Sequence, residues 1–234
     1  VRSVYGQDFY SVGEYWKDDL GTLKEYLESL EYATDLFDVG LHFNFHEASV
    51  RGKDFDLRTI FDNTILMSDS MQAVSFVDNH DSQKGSALES QIESWFKPHA
   101  YAIILLAERG YPCLFYGDYY GVGGQESEHR WIIDQLLHVR KHYAYGGEID
   151  YFDDPDIVGI YRTGRENDPN TGCVAILSNN EDGEKVIEVG QNRTGQVWKE
   201  VTGSGFDNVV IDDSGFAAFK VKAGKISVWV PEEK

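Results

Sequence analysis

The chain has 234 residues, with 21 Lys and Arg against 40 Asp and Glu, which gives a formal net charge of −19. Polyphosphates and anionic lipids need clustered cationic side chains, so this acidic balance argues against nucleic-acid and membrane partners. No apolar run approaches the roughly 20 residues that a membrane-spanning helix needs. With 41% hydrophobic and 14% aromatic residues, the chain has enough apolar material to bury a core.

Up to about Tyr145 the chain alternates between short apolar segments and stretches of helical length. Strands are predicted at residues 8–14, 36–42, 73–81 and 111–118, with helices at residues 20–30, 57–67, 92–109 and 131–143. This alternation predicts parallel strands joined by helical crossovers. Four such units fit either a small doubly wound sheet or half of an eight-stranded barrel, and composition does not distinguish the two.

After Tyr145 the pattern changes to short β-branched segments separated by Gly, Asn and Asp turns. These segments lie at residues 157–162, 173–177, 185–189, 197–201, 209–211, 216–221 and 226–230. Such closely spaced strands predict an antiparallel all-β module of roughly 85 residues. The boundary between the two regions is expected near Gly146.

Candidate functional residues follow two of the predicted strands. In parallel α/β folds the C-terminal ends of the strands meet on one face, where the loops carry the site. The first strand ends in Glu14, Tyr15 and Trp16, and the third ends in Asn79, His80 and Asp81. Carboxylates bind sugar hydroxyls and perform acid/base chemistry, while Tyr and Trp stack on sugar rings. The combination favours a carbohydrate-active site.

Simpler explanations and other chemistries compete with this hypothesis. A Glu at a strand end is often only a solvated loop residue, and a lone His is more often structural than catalytic. His42 and His46 are four residues apart, but Phe43 stands where a zinc-protease motif needs Glu, so a packing role is favoured. The coincidence of two carboxylates, a His and an aromatic pair on one face favours the functional interpretation.

Five segments match one known family in its order and at its separations. They are GEYWKDDLG (13–21), FDVGLHFNFHEAS (37–49), FVDNHDSQ (76–83), WFKPHAYAIILLAERGYPCLFYGDYYG (95–121) and DYFDDPDIVG (150–159). On these segments the chain resembles bacterial α-amylases of the large retaining starch-hydrolase family, in particular the liquefying and intracellular branch. The resemblance runs from one end of the chain to the other.

The resemblance implies a fold. The family has a (β/α)8 barrel with an inserted domain after the third strand and a C-terminal antiparallel β-sandwich. Residues 1–6 would end the fourth helix, and the four predicted strands would be strands five to eight of a TIM barrel. Residues 1–146 would then be the C-terminal half of the catalytic barrel, and residues 147–234 the sandwich domain. The N-terminal half of the barrel would be a necessary partner, encoded upstream of Val1.

The resemblance also implies roles. The expected reaction is retaining, endo-acting hydrolysis of α-1,4-glucosidic bonds in starch, glycogen and maltooligosaccharides. Glu14 would be the general acid/base, and Asp81 would stabilise the transition state. The residues that contact the α-glucan substrate would be Tyr15, Trp16, Asn79 and His80. The nucleophilic Asp of the family ends the fourth strand, upstream of this chain, so the chain alone is expected to be inactive.

Calcium is the one cofactor that the resemblance suggests, and no organic cofactor is expected. Liquefying relatives bind one ion where the barrel and the C-terminal domain meet, through the loop that matches residues 51–56, the turn at Pro155 and Asp156, and an acidic side chain in the next strand. Asp156 is kept, but the acidic position is Asn179, whose neutral oxygen weakens a site for a hard cation.

Two alternatives to a starch hydrolase stay open at this stage. One is a non-catalytic module that binds glucan through Trp16, Trp198 and Trp229. The other, within the same enzyme class, is a relative that forms maltooligosaccharides of fixed length or transfers glycosyl groups. The sequence leaves the cellular localisation open.

Overall fold

The computed structural model describes residues 9–232. The predicted helix end at residues 1–6 and the start of the first predicted strand lie outside them. Four strands form one sheet in the order β1-β2-β3-β4, and every pair is parallel, as predicted. They are β1 (Val12–Gly13), β2 (Asp35–Phe37), β3 (Ala73–Phe76) and β4 (Tyr111–Cys113).

Helices connect these strands. Within residues 9–232 they are α1 (Leu20–Ser29), α2 (Val39–Arg51), α3 (Ile65–Ser68), α4 (Lys97–Leu106), α5 (Tyr116–Tyr120) and α6 (Arg130–His142). Short 3₁₀ turns lie at Gly52–Asp54, Leu57–Thr59, Ser94–Phe96 and Gln191–Arg193. None of the helices in this range is both long and apolar enough to cross a membrane.

Asp38 explains why the second strand is shorter than predicted. Its buried carboxylate accepts hydrogen bonds from the N–H of Leu41 (3.1 Å), which caps α2, and from the N–H of Leu66 (2.7 Å) in α3. The chain therefore becomes helical directly after Phe37. The prediction of a strand through residue 42 is wrong beyond this point, and α2 was missed although an Asp before an apolar run is an N-cap signal.

The helix predicted at residues 57–67 is wrong, because the segment is divided in two. A 3₁₀ turn at Leu57–Thr59 ends in a loop where Asn63 has a positive φ of 57°. Thr64 then begins α3, with its hydroxyl accepting a hydrogen bond from the N–H of Met67 at 3.2 Å. A left-handed residue followed by a Thr N-cap stops one helix and starts another.

The second region is antiparallel. A six-stranded sheet has the order β10-β9-β12-β7-β6-β5, and a two-stranded sheet pairs β11 with β8. The bounds are β5 (Glu148–Tyr151), β6 (Ile157–Arg162), β7 (Cys173–Ser178), β8 (Gly183–Glu188), β9 (Val197–Glu200), β10 (Val209–Val210), β11 (Phe216–Val221) and β12 (Ile226–Pro231). The predicted strands are present, and β5 was missed.

The central strands β6, β7 and β12 are buried along their whole lengths. One face packs with the helices and the parallel sheet in a single large core, and the other packs against β8 and β11. Burial on both faces explains why these strands read as continuous apolar runs rather than as alternating ones.

Trp198 and Trp229 belong to the core between the two antiparallel sheets. Both side chains are fully buried, and Phe219 packs edge-on against each of them. The alternative in which these two indoles bind glucan is therefore wrong, because neither offers a surface to a sugar ring.

Candidate active site

Two loops meet at the carboxyl end of the parallel sheet. Glu14 directly follows β1, and Asn79 lies three residues after β3. The amide Nδ2 of Asn79 donates a hydrogen bond to Oε1 of Glu14 at 3.1 Å. The predicted residues at the ends of the first and third strands are thus brought together across the intervening strand β2.

Asn79 also shapes the turn that carries the other carboxylate. Its Oδ1 accepts hydrogen bonds from the backbone N–H groups of Asp81 and Ser82, both at 2.9 Å. His80 and Asp81 project from this turn with 74% and 44% of their side chains exposed, and His80 Nε2 lies 3.6 Å from Asp81 Oδ1. An Asx turn therefore presents an imidazole and a carboxylate to solvent beside Glu14.

The aromatic residues after Glu14 point in different directions. The Trp16 ring lies among His42, Phe43 and Phe76, with ring centroids 5.4 to 6.1 Å apart. Tyr15 instead contacts Tyr26 of α1 at 4.9 Å. Both side chains are half-buried, so each combines packing with a partly accessible edge.

His42 has the packing role that the sequence favoured. Its ring stacks on Phe76 at 5.0 Å, and its two nitrogens contact Val77 O (2.6 Å) and Ser90 Oγ (2.8 Å). Burial lowers the pKa of this imidazole. With both ring nitrogens engaged, His42 packs under the loop that follows β3.

A buried polar network under the same loop was not predicted. Lys97 Nζ lies 2.8 Å from Asp78 Oδ2 and also pairs with Asp118, and the three side chains are between 1% and 6% exposed. Tyr101 Oη donates to Asp118 Oδ2 at 2.6 Å. One sequence signal was available, since Lys97 begins an otherwise apolar helix, where an ammonium needs a buried partner.

The two residues predicted at the calcium position lie at the junction between the two regions. Asn179 Nδ2 donates to the carbonyls of Gly52 (3.0 Å) and Phe55 (2.7 Å), while its N–H donates to Asp156 O at 3.1 Å. The Asp156 carboxylate accepts from Asn180 Nδ2 at 3.1 Å. The Asn179 amide protons point at both carbonyls, and its buried Oδ1 has no hydrogen-bond partner among residues 9–232. The predicted position therefore supplies one neutral side-chain oxygen and the carboxylate of Asp156, which is a weak donor set for a hard cation.

No group of three or more His, Cys, Asp or Glu side chains in residues 9–232 forms a metal cluster. Further hydrogen bonds cross the junction, together with ion pairs from Arg109 to Glu148 and Asp150. His99 Nε2 contacts Ser178 O at 2.9 Å, and Arg162 Nη1 donates to Leu106 O at 2.9 Å.

The residue types at this strand edge are those that bind sugar hydroxyls and stack on sugar rings. The carboxylates of Glu14 and Asp81, the exposed imidazole of His80 and the half-buried indole of Trp16 lie on the loops at the carboxyl end of the parallel strands. The fold beneath them, four parallel βα units followed by an antiparallel sandwich, corresponds to the second half of a glycoside hydrolase barrel with its C-terminal domain.

Comparison with known proteins shows which enzymes this chain is similar to in sequence. The chain is 44% identical over 231 residues to the glucan 1,4-alpha-maltohexaosidase of Bacillus sp. (strain 707), which covers 98% of this chain and 45% of that protein. It is 42% identical over 234 residues to the alpha-amylase of Bacillus licheniformis, covering 98% of this chain and 46% of that protein. The chain is homologous to bacterial alpha-amylases, as the sequence motifs indicated.

Solved structures agree in fold. The alpha-amylase from Geobacillus thermoleovorans, complexed with acarbose, matches with a TM-score of 0.70 at 18% identity, over 100% of this chain and 55% of that one. The predicted fold class, the second half of a TIM barrel followed by an antiparallel sandwich, is confirmed. No family model matches the chain. The chain spans about half the length of the curated relatives it matches.

Proposed function

We propose that this chain is the C-terminal half of an α-amylase that hydrolyses internal α-1,4-glucosidic bonds of starch, glycogen and maltooligosaccharides with retention of configuration. The observation that carries the proposal is the hydrogen bond between Asn79 and Glu14. It joins the loop of the acid/base candidate to the turn of Asp81 at one strand edge. The homology to bacterial alpha-amylases supports the substrate class.

In the proposed reaction Glu14 acts twice. It first protonates the glycosidic oxygen while an Asp encoded upstream attacks the anomeric carbon, and it then activates the water that hydrolyses the glycosyl-enzyme. Asp81 stabilises the positive charge that develops on the sugar ring in the oxocarbenium-like transition state. A retaining enzyme of this kind needs its attacking and acid/base carboxyl groups about 5 to 5.5 Å apart.

Four further residues are proposed to bind the α-glucan. His80 is exposed beside Asp81 and can donate a ring N–H to sugar hydroxyls, and Asn79 holds the turn from which it projects. Trp16 and Tyr15 directly follow Glu14 and are half-buried, and both are proposed to contact the leaving-group part of the glucan. Indole and phenol rings offer the apolar faces on which sugar C–H groups stack.

The N-terminal half of the barrel is proposed as the partner that completes the site. The two outer strands of the parallel sheet, β1 and β4, have no strand beyond them within residues 9–232. Exposed side chains on or beside these strands include Phe9, Tyr10, Val12 and Tyr111. We therefore propose the division into a half-barrel at residues 1–146 and a sandwich at residues 147–234, with the half-barrel inactive alone.

For the metal position we propose that the junction does not depend on calcium. The Asn179 amide supplies the link between the Gly52 and Phe55 carbonyls and the second region that a cation would otherwise provide. One carboxylate, that of Asp156, is too small a charge to hold a hard dication tightly.

The test of the proposed function is Glu14→Gln in the protein that carries this chain together with its upstream half. Loss of general acid catalysis is expected to lower starch hydrolysis by about 100-fold or more. With a maltooligosaccharide that carries an acidic phenol as leaving group, the first release of phenol is expected to slow much less, because the phenolate departs without a proton. Steady-state turnover of this substrate is still expected to fall, because Glu14 also activates the water in the second step.

Glu25→Gln is the matched control, since Glu25 is an exposed glutamate of α1 outside the strand edge. It is expected to hydrolyse both substrates at the wild-type rate. Near-normal starch hydrolysis by the Glu14→Gln protein would overturn the assignment of the acid/base residue.

A second candidate is an enzyme that releases maltooligosaccharides of one length. It is favoured by the 44% identity to a protein named as a maltohexaosidase. Chromatography of the products over time separates the two functions, because a single early product length indicates the maltooligosaccharide-forming enzyme and a broad distribution indicates an endo-acting amylase.

A further inference from the structure

The buried polar network around Lys97 lies directly beneath the loop that carries Asp81. The Asp78 carboxylate accepts a hydrogen bond from Ser82 Oγ at 2.8 Å through Oδ1, and its Oδ2 lies 2.8 Å from Lys97 Nζ. Ser82 Oγ in turn accepts from the backbone N–H of Asn79 at 3.0 Å. Asn79 then contacts Glu14 and the N–H of Asp81. The contacts are continuous from Lys97 to the carboxylate of Glu14 and to the backbone of Asp81.

The buried negative charges of Asp78 and Asp118 explain why this series of contacts requires Lys97. Asp78 and Asp118 are almost completely buried, and a buried carboxylate is stable only when it is paired and hydrogen-bonded. Burial alone lowers the pKa of the Lys97 ammonium, but the carboxylates of Asp118 and Asp78 outweigh it and raise the pKa. The ammonium stays charged and holds both carboxylates at fixed positions.

We propose that Lys97 is a positioning residue for the reaction described above, because it fixes Asp78, and through Ser82 and Asn79 the relative placement of Glu14 and the Asp81 turn. This inference rests on the proposed function. Lys97 does not contact the carboxylate of Glu14 or that of Asp81. It therefore acts only through the residues in between, which are Asp78, Ser82 and Asn79. A displacement of about 1 Å at a reacting group can cost about 100-fold in rate.

The principal test is Lys97→Met in the protein with both barrel halves. The expected result is a fall in kcat of about 100-fold per folded molecule, measured well below the melting temperature, with a far smaller change in KM. Lys84→Met is the matched control, since Lys84 is an exposed lysine that lines, together with Lys97, a cavity of about 960 Å³. It is expected to leave kcat unchanged.

Rescue distinguishes positioning from general support of the fold. Adding Asp78→Asn and Asp118→Asn to Lys97→Met removes both unpaired charges but keeps an oxygen that accepts from Ser82, so most of the lost kcat is expected to return. If Lys97→Met does not fold, Ser82→Ala tests the same link, because it removes only the hydroxyl between Asp78 and Asn79. Its kcat loss is expected to be non-additive with that of Lys97→Met where both fold.

A crystal structure of the Lys97→Met or Ser82→Ala protein gives a result that does not depend on activity. The distance from Asn79 Nδ2 to Glu14 Oε1 is expected to exceed hydrogen-bond range. An unchanged distance, or unchanged kcat per folded molecule, would overturn the positioning role. Full activity of the Glu14→Gln protein would instead overturn the proposed function, while the distance would still decide the inference about Lys97.

Discussion

Single residues decide where elements of this fold stop and turn. Asp38 ends β2 and begins α2 by accepting two backbone hydrogen bonds while fully buried. Asn79 has a comparable role after β3. Its side chain forms hydrogen bonds with the Glu14 carboxylate and with the backbone N–H groups of Asp81 and Ser82. Small polar side chains can replace the missing backbone partners at an element end, which longer or apolar side chains cannot.

Gly121 also determines where an element ends, in this case through its backbone conformation. It ends α5 with φ of 96°, and a Cβ added there would lie 1.7 Å from the backbone oxygen of Gln125. Gly121→Ala is expected to lower the free energy of unfolding by more than about 2 kcal/mol, because the clash involves backbone that cannot rotate away.

Gly123→Ala is the control, because Gly123 has φ of 64° but open space around a new Cβ. It is expected to cost about 1 kcal/mol, from left-handed strain alone. Urea unfolding of the two variants measures the difference, and equal destabilisation would show that the contact with Gln125 is relieved.

At the scale of elements, the side-chain amide of Asn179 links the end of α2 and the following 3₁₀ turn to the end of β7. Asn179 follows β7 directly and reaches the carbonyls of Gly52 and Phe55. Its 6% exposure makes these hydrogen bonds hard for water to replace. The two regions are therefore joined by direct hydrogen bonds as well as by a shared apolar core.

Asn179→Asp is expected to make this junction depend on calcium. In chelator, the new carboxylate would face two carbonyl oxygens and lower stability on the order of 2 kcal/mol. With calcium, the same oxygens become ligands and the stability is expected to recover. Thermal melting with and without calcium measures the effect as the difference from wild type in each buffer.

Asn208→Asp serves as the control, since it adds the same charge on an exposed residue just before β10. It is expected to respond to calcium as wild type does. The calcium-independent interpretation would be contradicted if chelator already lowered the melting temperature of the wild-type protein and the Asn179→Asp protein responded no more strongly.

At the scale of the whole molecule, the antiparallel region is covered on both faces of its central strands, whereas the parallel sheet ends in two edges. Tyr10, two residues before β1, and Tyr111 of β4 are both exposed, although their ring centroids lie 5.8 Å apart. Edges of buried parallel strands are sites of further pairing and of aggregation.

The 234-residue chain expressed alone is accordingly expected to self-associate and not to hydrolyse starch. Co-expression with the upstream half of its parent sequence is expected to give a soluble one-to-one complex with starch-hydrolysing activity. Analytical ultracentrifugation and a starch assay on both samples check this. A monomer that unfolds cooperatively and hydrolyses starch unaided would contradict both the half-barrel and the upstream nucleophile.

The sequence by itself determined the alternation of parallel βα units, the change to antiparallel strands near residue 146 and the motifs after β1 and β3. These features depend on local periodicity and residue type, which a sequence displays directly. It also placed Glu14 and Asp81 on one edge, since parallel strands all end on the same side.

Only the tertiary structure decided how these residues are held. The Lys97, Asp78 and Asp118 network joins positions 19 to 40 residues apart, and Asn179 reaches carbonyls more than 120 residues away. The burial of Trp198 and Trp229 likewise follows from the packing of one sheet on another. Such contacts depend on how distant segments fold together, so no local pattern in the sequence specifies them.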